Sequence, residues 1–148
     1  MKGYNSILDI GPGFGQFVNA CSRSGWFRSA TAADIREASG LIKEPGVNYV
    51  TLDIRSLKVD ATLQAEVVTC LEVIEHLTNA GLALAIMNLR KLALRRIIVT
   101  VPYYEETRPK FHLQSFTLSR LRTLFPEGDI TLIAEKRSIL WAMVVVDK

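Results

Sequence analysis

The sequence predicts an α/β fold in which a mainly parallel sheet is covered on both faces. Three observations carry that prediction. Short apolar runs alternate with segments of helical spacing from end to end, the pattern of strand–helix–strand crossovers. The first run, Ser6-Ile7-Leu8-Asp9-Ile10, passes directly into the glycine turn Gly11-Pro12-Gly13-Phe14-Gly15 and then into helical spacing. The last two runs, residues 130–134 and 139–146, leave only Glu135 to Ser138 between them. That is too short for a crossover, so they form an antiparallel hairpin.

Taken in order, the strand at residues 6–10 is followed by a helix over 15–23, which Gly25 stops. Residues 29–34, S-A-T-A-A-D, form the second strand by context rather than by composition. A short helix over 36–41 ends at Pro45-Gly46, and residues 47–52 supply a third strand with β-branched and aromatic side chains. Residues 56–63 are an irregular connection. The fourth strand covers 66–70, a helix 81–91, and the fifth strand 96–101, where Pro102 stops it. A helix over 117–125, with Thr117 as its cap, precedes the hairpin.

With 148 residues the chain has room for one domain and one core. Nearly half of the residues are apolar and 22% are charged, which excludes a disordered chain. The net charge of +3 is scattered, without the Lys/Arg block of a nucleic-acid surface, so nucleic acid is not the expected partner. Cys21 and Cys70 fall on apolar positions and read as reduced core thiols. No apolar run reaches the roughly 18 residues of a membrane span, and the first residues make no secretory signal. No membrane association and a cytoplasmic location are the expectations. Trp26 reads as core or surface packing behind the first helix, and Trp141 as core in the hairpin.

The turn has the spacing G-x-G-x-G, not the dinucleotide G-x-G-x-x-G, and Asp9 stands two positions before its first glycine. This variant resembles the first motif of the class I S-adenosylmethionine-dependent methyltransferases. The resemblance implies a Rossmann-like doubly wound sheet of seven strands in the order 3-2-1-4-5-7-6. It further implies that Gly11, Gly13 and Gly15, with Phe14 among them, make room for the methionine part of the cofactor while Asp9 organises the loop. S-adenosylmethionine is then the expected cofactor and S-adenosylhomocysteine its product. An ordinary glycine-rich turn is the alternative.

Ligands of open α/β sheets bind beyond the carboxyl ends of the strands. Asp34 ends the second strand, about 20 residues beyond the glycine turn, where a carboxylate can accept both hydroxyls of a ribose. With Ile35 beside it, it is a ribose candidate; it could instead cap the helix that follows. Asp53 ends the third strand. The resemblance gives it the adenine exocyclic amine, with Ile54 covering the ring, although a turn role suits it too. The run Cys70-Leu71-Glu72-Val73-Ile74-Glu75-His76-Leu77 resembles the fourth-motif region of small-molecule and terminal-nucleotide methyltransferases. There, the backbone around Cys70 and Leu71 lies beside the cofactor methionine and faces the acceptor. These matches extend over about half of the chain.

Glu72, Glu75 and His76 share a face if the segment is helical, and His112 follows the fifth strand at the same edge of the sheet. Such a set can bind a divalent cation. The 3′-terminal RNA ribose methyltransferases use E-x-x-E-H with a distant histidine in that way, yet the same motifs occur in relatives without metal. The expectation here is no metal, with His76, His112 and Glu75 as the catalytic candidates, since an imidazole titrates near neutrality and can accept an acceptor's proton. Tyr103 and Tyr104 could wall the acceptor site.

Family members carry helices before the glycine-turn strand that cover the cofactor, whereas only Met1 to Asn5 precede it here. The expectation is one minimal methyltransferase domain over residues 1–148 without those cap helices. Then either the acceptor is large and binds an open face, or a homodimer partner or partner subunit covers the site, or the chain is a reduced core. The expected reaction moves a methyl group to an oxygen or nitrogen of a small-molecule acceptor. The alternatives are a macromolecular acceptor (an RNA end or a protein side chain), an inactive cofactor-binding subunit, and a nicotinamide-dependent reductase.

Overall fold

A computed structural model describes residues 3–36, 42–103, 109–135 and 139–148. Its sheet consists of β1 (Ser6–Ile10), β2 (Ser29–Asp34), β3 (Val47–Thr51), β4 (Ala65–Leu71), β5 (Ala93–Tyr103), β6 (Asp129–Glu135) and β7 (Ile139–Asp147). The strand order is β3-β2-β1-β4-β5-β7-β6, the expected one. The first five strands are parallel, and β7 enters antiparallel to both β5 and β6. Three helices stand among the described residues: α1 (Gln16–Arg23), α2 (Asn79–Leu92) and α3 (Leu118–Leu124). The short helix expected over 36–41 lies mostly outside the described residues, as does Tyr104.

The two faces of the sheet are covered unequally. The larger core lies on the side of α2 and α3, where Leu8, Val68, Ile97 and Val144 meet Leu89, Leu92 and Leu121. The smaller core packs Val18 and Cys21 of α1 against Ile7, Ala30, Ala32 and Val67. Both cysteines are free and buried. α1 is further fastened by buried Asn19, whose amide donates to the Ile42 carbonyl at 2.6 Å and accepts from the Tyr49 hydroxyl at 2.9 Å. Thr117 caps α3 as expected, accepting from Arg120 N, and Thr78 caps α2 by accepting from Gly81 N.

Two expectations need correction. β5 does not stop at Pro102; it continues to Tyr103, and Pro102 pairs with Trp141. Thr100 turns its carbonyl toward β4, where Glu72 N donates to it. Pro102, two residues on, therefore directs its missing N–H past the end of β4 at Leu71, where no ladder bond is lost. Trp141 is half-buried rather than core, and Trp26 is exposed.

Candidate functional site

The carboxyl ends of β1, β2, β3 and β4 open into one cleft of about 670 Å³. It lies at the reversal of strand order, where β1 separates β2 from β4. Its size suits a nucleoside-sized ligand. Of the expected residues, Gly11, Gly13, Asp34, Ile35, Asp53, Ile54 and His76 line it. Asp9, Phe14, Gly15, Cys70, Leu71, Glu75 and His112 are not among its lining residues.

The glycine turn folds back on the sheet through a bond from Gly11 N to the Ala33 carbonyl, 2.8 Å. Gly11 has φ +67°, and a Cβ built on it would lie 2.5 Å from Val73 Cγ2. Only glycine permits this backbone and this approach of the β4 loop. Gly15 has φ +85° and starts α1. Asp9 is buried beneath the turn and accepts from the Thr69 hydroxyl at 2.6 Å. Burial raises its carboxyl to about 7, against the opposing pull of that hydrogen bond. The Cys70 thiol is raised by burial as well, with the nearby Asp9 and Glu75 carboxylates adding to it. A nucleophilic role does not suit a thiol so held.

Asp34 and Asp53 sit at the ends of adjacent strands and face the same cleft. Asp34 accepts from Arg36 three times: backbone N at 2.9 Å, Nε at 3.2 Å and Nη2 at 3.2 Å. Burial would raise its carboxyl, but these bonds and the guanidinium charge outweigh burial and hold it below the usual carboxylate range. Asp53 is held by Arg55 in the same pattern, at 2.9, 2.8 and 2.9 Å, and the Arg55 hydrogen bonds likewise lower it. The carboxylate expected to accept a ribose is thus held by the residues that follow it.

At the β4 side, the expected shared helical face does not form. Glu72 has φ 56°, and only Ile74–His76 make a single 3-10 turn. A non-glycine residue in that region is a strained one, of the kind that gathers at functional sites. Glu72 turns toward β7, where its Oε2 accepts from Trp141 Nε1 at 3.0 Å. It lines the cleft with Val73, Leu77 and Phe111.

Glu75, His76 and His112 do come together, with one donor atom each within 4.8 Å of the others. His76 Nε2 is 3.8 Å from Glu75 Oε1, and the two imidazole rings are 5.0 Å apart. His76 Nδ1 lies 3.1 Å from the Phe111 carbonyl, while Leu113 N and Gln114 N donate to the Glu75 carbonyl. This binds the segment after β5 onto the β4 loop. Three such donors could meet a cation. Glu72, the fourth residue of the expected set, is not among them. The cleft thus has an acidic-and-arginine end on β2 and β3, and an imidazole-and-carboxylate end on β4. Arg36, Arg55 and Phe111 are its linings that sequence reading passed over. The repeated Asp-Ile-Arg string was the one signal that could have shown the first two.

Residues 2–95 match the family model described as a methyltransferase domain. No curated protein sequence matches the chain. Among solved structures, magnesium protoporphyrin IX methyltransferase from Synechocystis PCC 6803 with bound SAH has 16% identity and a TM-score of 0.73. The match covers 99% of this chain and 75% of that one. The methyltransferase domain of a bacterial Hen1 has 14% identity and a TM-score of 0.72, covering 97% and 91%. A chain of the Haloferax volcanii complex that contains the Trm112 methyltransferase activator has 11% identity and a TM-score of 0.73, covering 99% and 84%. At these identities, the likeness is one of fold.

Proposed function

The chain belongs to the methyltransferase-domain family, and from that premise we propose that it moves the methyl group of S-adenosylmethionine to an oxygen or nitrogen of a small-molecule acceptor. One observation carries this reading above the others. Two aspartates at the ends of adjacent strands face the same cleft as the glycine turn that follows β1. A phosphate-rich dinucleotide would meet those carboxylates unfavourably, whereas an adenosine bearing a sulfonium meets acceptors for its hydroxyls and its amine. The Synechocystis structure with bound SAH supports the same cofactor.

In this reading Asp34 accepts from the ribose and Asp53 from the adenine amine, and Ile35 and Ile54 flank the adenosine. The bound cofactor supplies an electrophilic methyl group on a good leaving group. The chain's part is to hold and to exclude. Gly11 and Gly13 leave the space above β1 open to the methionine moiety. Asp9, Phe14 and Gly15 shape the turn, and the backbone of Cys70 and Leu71 forms the floor next to it. Val73, Leu77 and Phe111 press the acceptor toward that floor and displace water. His76, within reach of Glu75 and His112, accepts the acceptor's proton when the attacking atom starts protonated.

A terminal RNA ribose is the second reading. The Phe111 ring, 65% exposed beside the two histidines, offers a surface on which a base can stack, and a small RNA methyltransferase is among the fold neighbours. A second copy of the chain or a partner subunit closing the cleft is compatible with either acceptor. The test is a calorimetric titration with S-adenosylhomocysteine and with NADH, on the wild type and on His76→Ala. Binding of the first ligand alone, retained in the variant while methyl transfer to small hydroxyl and amine acceptors is lost, is the expected result. Binding of NADH instead overturns the reading.

A further inference from the structure

The string Asp-Ile-Arg occurs at residues 34–36, where Asp34 is the last residue of β2, and again at 53–55, just beyond the end of β3. The structure builds the same device from both copies. In each, the arginine two residues on donates its backbone N–H and Nε to Oδ1 and its Nη2 to Oδ2 of the aspartate. All four of these residues line the cleft. A carboxylate offers about four lone-pair positions in its plane. Both oxygens of each carboxylate are held by these donors, and at Asp34 the Ile35 backbone N–H adds a further bond. Arg36 remains 74% exposed and Arg55 43%, so neither guanidinium is there to fill a core.

The second device is built in from outside its own loop. Asn88 of α2 donates its amide to the Ile54 carbonyl at 2.7 Å and the Ser56 carbonyl at 2.8 Å, which fixes the backbone on both sides of Arg55. Near the start of α2, Gly81 leaves the space that the Arg55 stem occupies, since a Cβ there would stand 3.1 Å from Arg55 Cδ. The first loop is joined to the second by the bond from Leu52 N to the Asp34 carbonyl, 2.8 Å.

We propose that Arg36 and Arg55 are positioning residues for the adenosine half of the cofactor. Each fixes the plane of its aspartate's carboxylate toward the donors of the ligand: the ribose hydroxyls at Asp34, the exocyclic amine at Asp53. The bidentate fork fixes the carboxylate plane, as a lysine's point charge would not. It also offsets two like charges at one cleft wall, which leaves a pair of strong acceptors suited to neutral donors. This rests on the cofactor reading given above.

The experiment is a calorimetric ligand cycle on the whole chain. S-adenosylhomocysteine, its 2′-deoxy and 3′-deoxy analogues, and S-inosylhomocysteine (which lacks the exocyclic amine) are titrated into the wild type, Arg36→Ala, Arg36→Lys, and Arg55→Ala. Each alanine variant is expected to bind S-adenosylhomocysteine about tenfold more weakly, the order of one charged hydrogen bond misplaced. The Arg36→Ala loss should be smaller for the two deoxy analogues than for S-adenosylhomocysteine, and the Arg55→Ala loss should vanish for S-inosylhomocysteine. Arg36→Lys should not restore affinity. A general loosening of the loops would weaken all four ligands alike, and that result overturns the proposal. Equal or tighter binding of S-adenosylhomocysteine by the alanine variants overturns it too, the tighter case marking the arginines as competitors of the ligand. If the wild type binds none of the four, the cofactor reading fails and takes the proposal with it.

Discussion

Replacing Asp9 by asparagine should stabilise the protein at pH 8. Asp9 is buried to 2% exposure under the glycine turn, and burial raises its carboxyl from an ordinary 3.8 to about 7. A folded value above the unfolded one means that the native state holds the proton more tightly. Stability from this group is therefore complete below about pH 4 and is lost as pH rises through about 7. The shift of about 3 units, at 1.36 kcal/mol each, makes the loss about 4 kcal/mol. Asparagine keeps the size and the acceptor for the Thr69 hydroxyl, and has no charge to desolvate. Asp34 and Asp53 have lowered carboxyls, so their own contributions fade only in the acid range below the Asp9 window. Urea unfolding of wild type and Asp9→Asn from pH 5 to 8 is the assay. The wild type should weaken toward pH 8 and the gap in favour of the variant should widen. A wild-type curve flat over that range, or a variant less stable at pH 8, would refute the reasoning.

Gly11→Ala should abolish cofactor binding and cost about 1–3 kcal/mol, because its Cβ meets Val73 Cγ2 and its φ is +67°. Calorimetry with S-adenosylhomocysteine reads the first effect. Adding Val73→Ala should relieve the clash but not the φ strain, so thermal stability should recover only in part. Trp141→Phe removes the donor to Glu72 and should cost about 1.5–3 kcal/mol by urea unfolding. In the Glu72→Ala background the same change should cost much less; equal costs in the two backgrounds would show that the bond contributes nothing.

Most of the architecture was legible because its signals are local. An apolar run, a glycine turn and a helical period each lie within a few residues, and the four residues between the runs 130–134 and 139–146 leave those two strands no topology but a hairpin. The aspartates could be placed at the cleft for the same reason: strand ends are read along the chain, and open sheets bind ligands beyond them. The positions that misled were those where a distant neighbour decides. Pro102 looks like a strand end until the register shows that β4 has already finished beside it. Glu72 looks like part of a helical face, but its partner Trp141 lies 69 residues further on and is delivered only by the insertion of β7 beside β5.

The sequence by itself determined the strand order's raw material, the glycine turn, and the acidic residues at the ends of β2 and β3. The tertiary structure alone decided which side chains close the far end of the cleft. Phe111 reaches the cleft because the Glu75 backbone accepts from Leu113 and Gln114, a contact between segments that no periodicity connects. Hydrogen-bond capacity and side-chain approach are properties of a register fixed by the whole sheet. A local pattern names the donors and acceptors, and only packing says which of them are already taken.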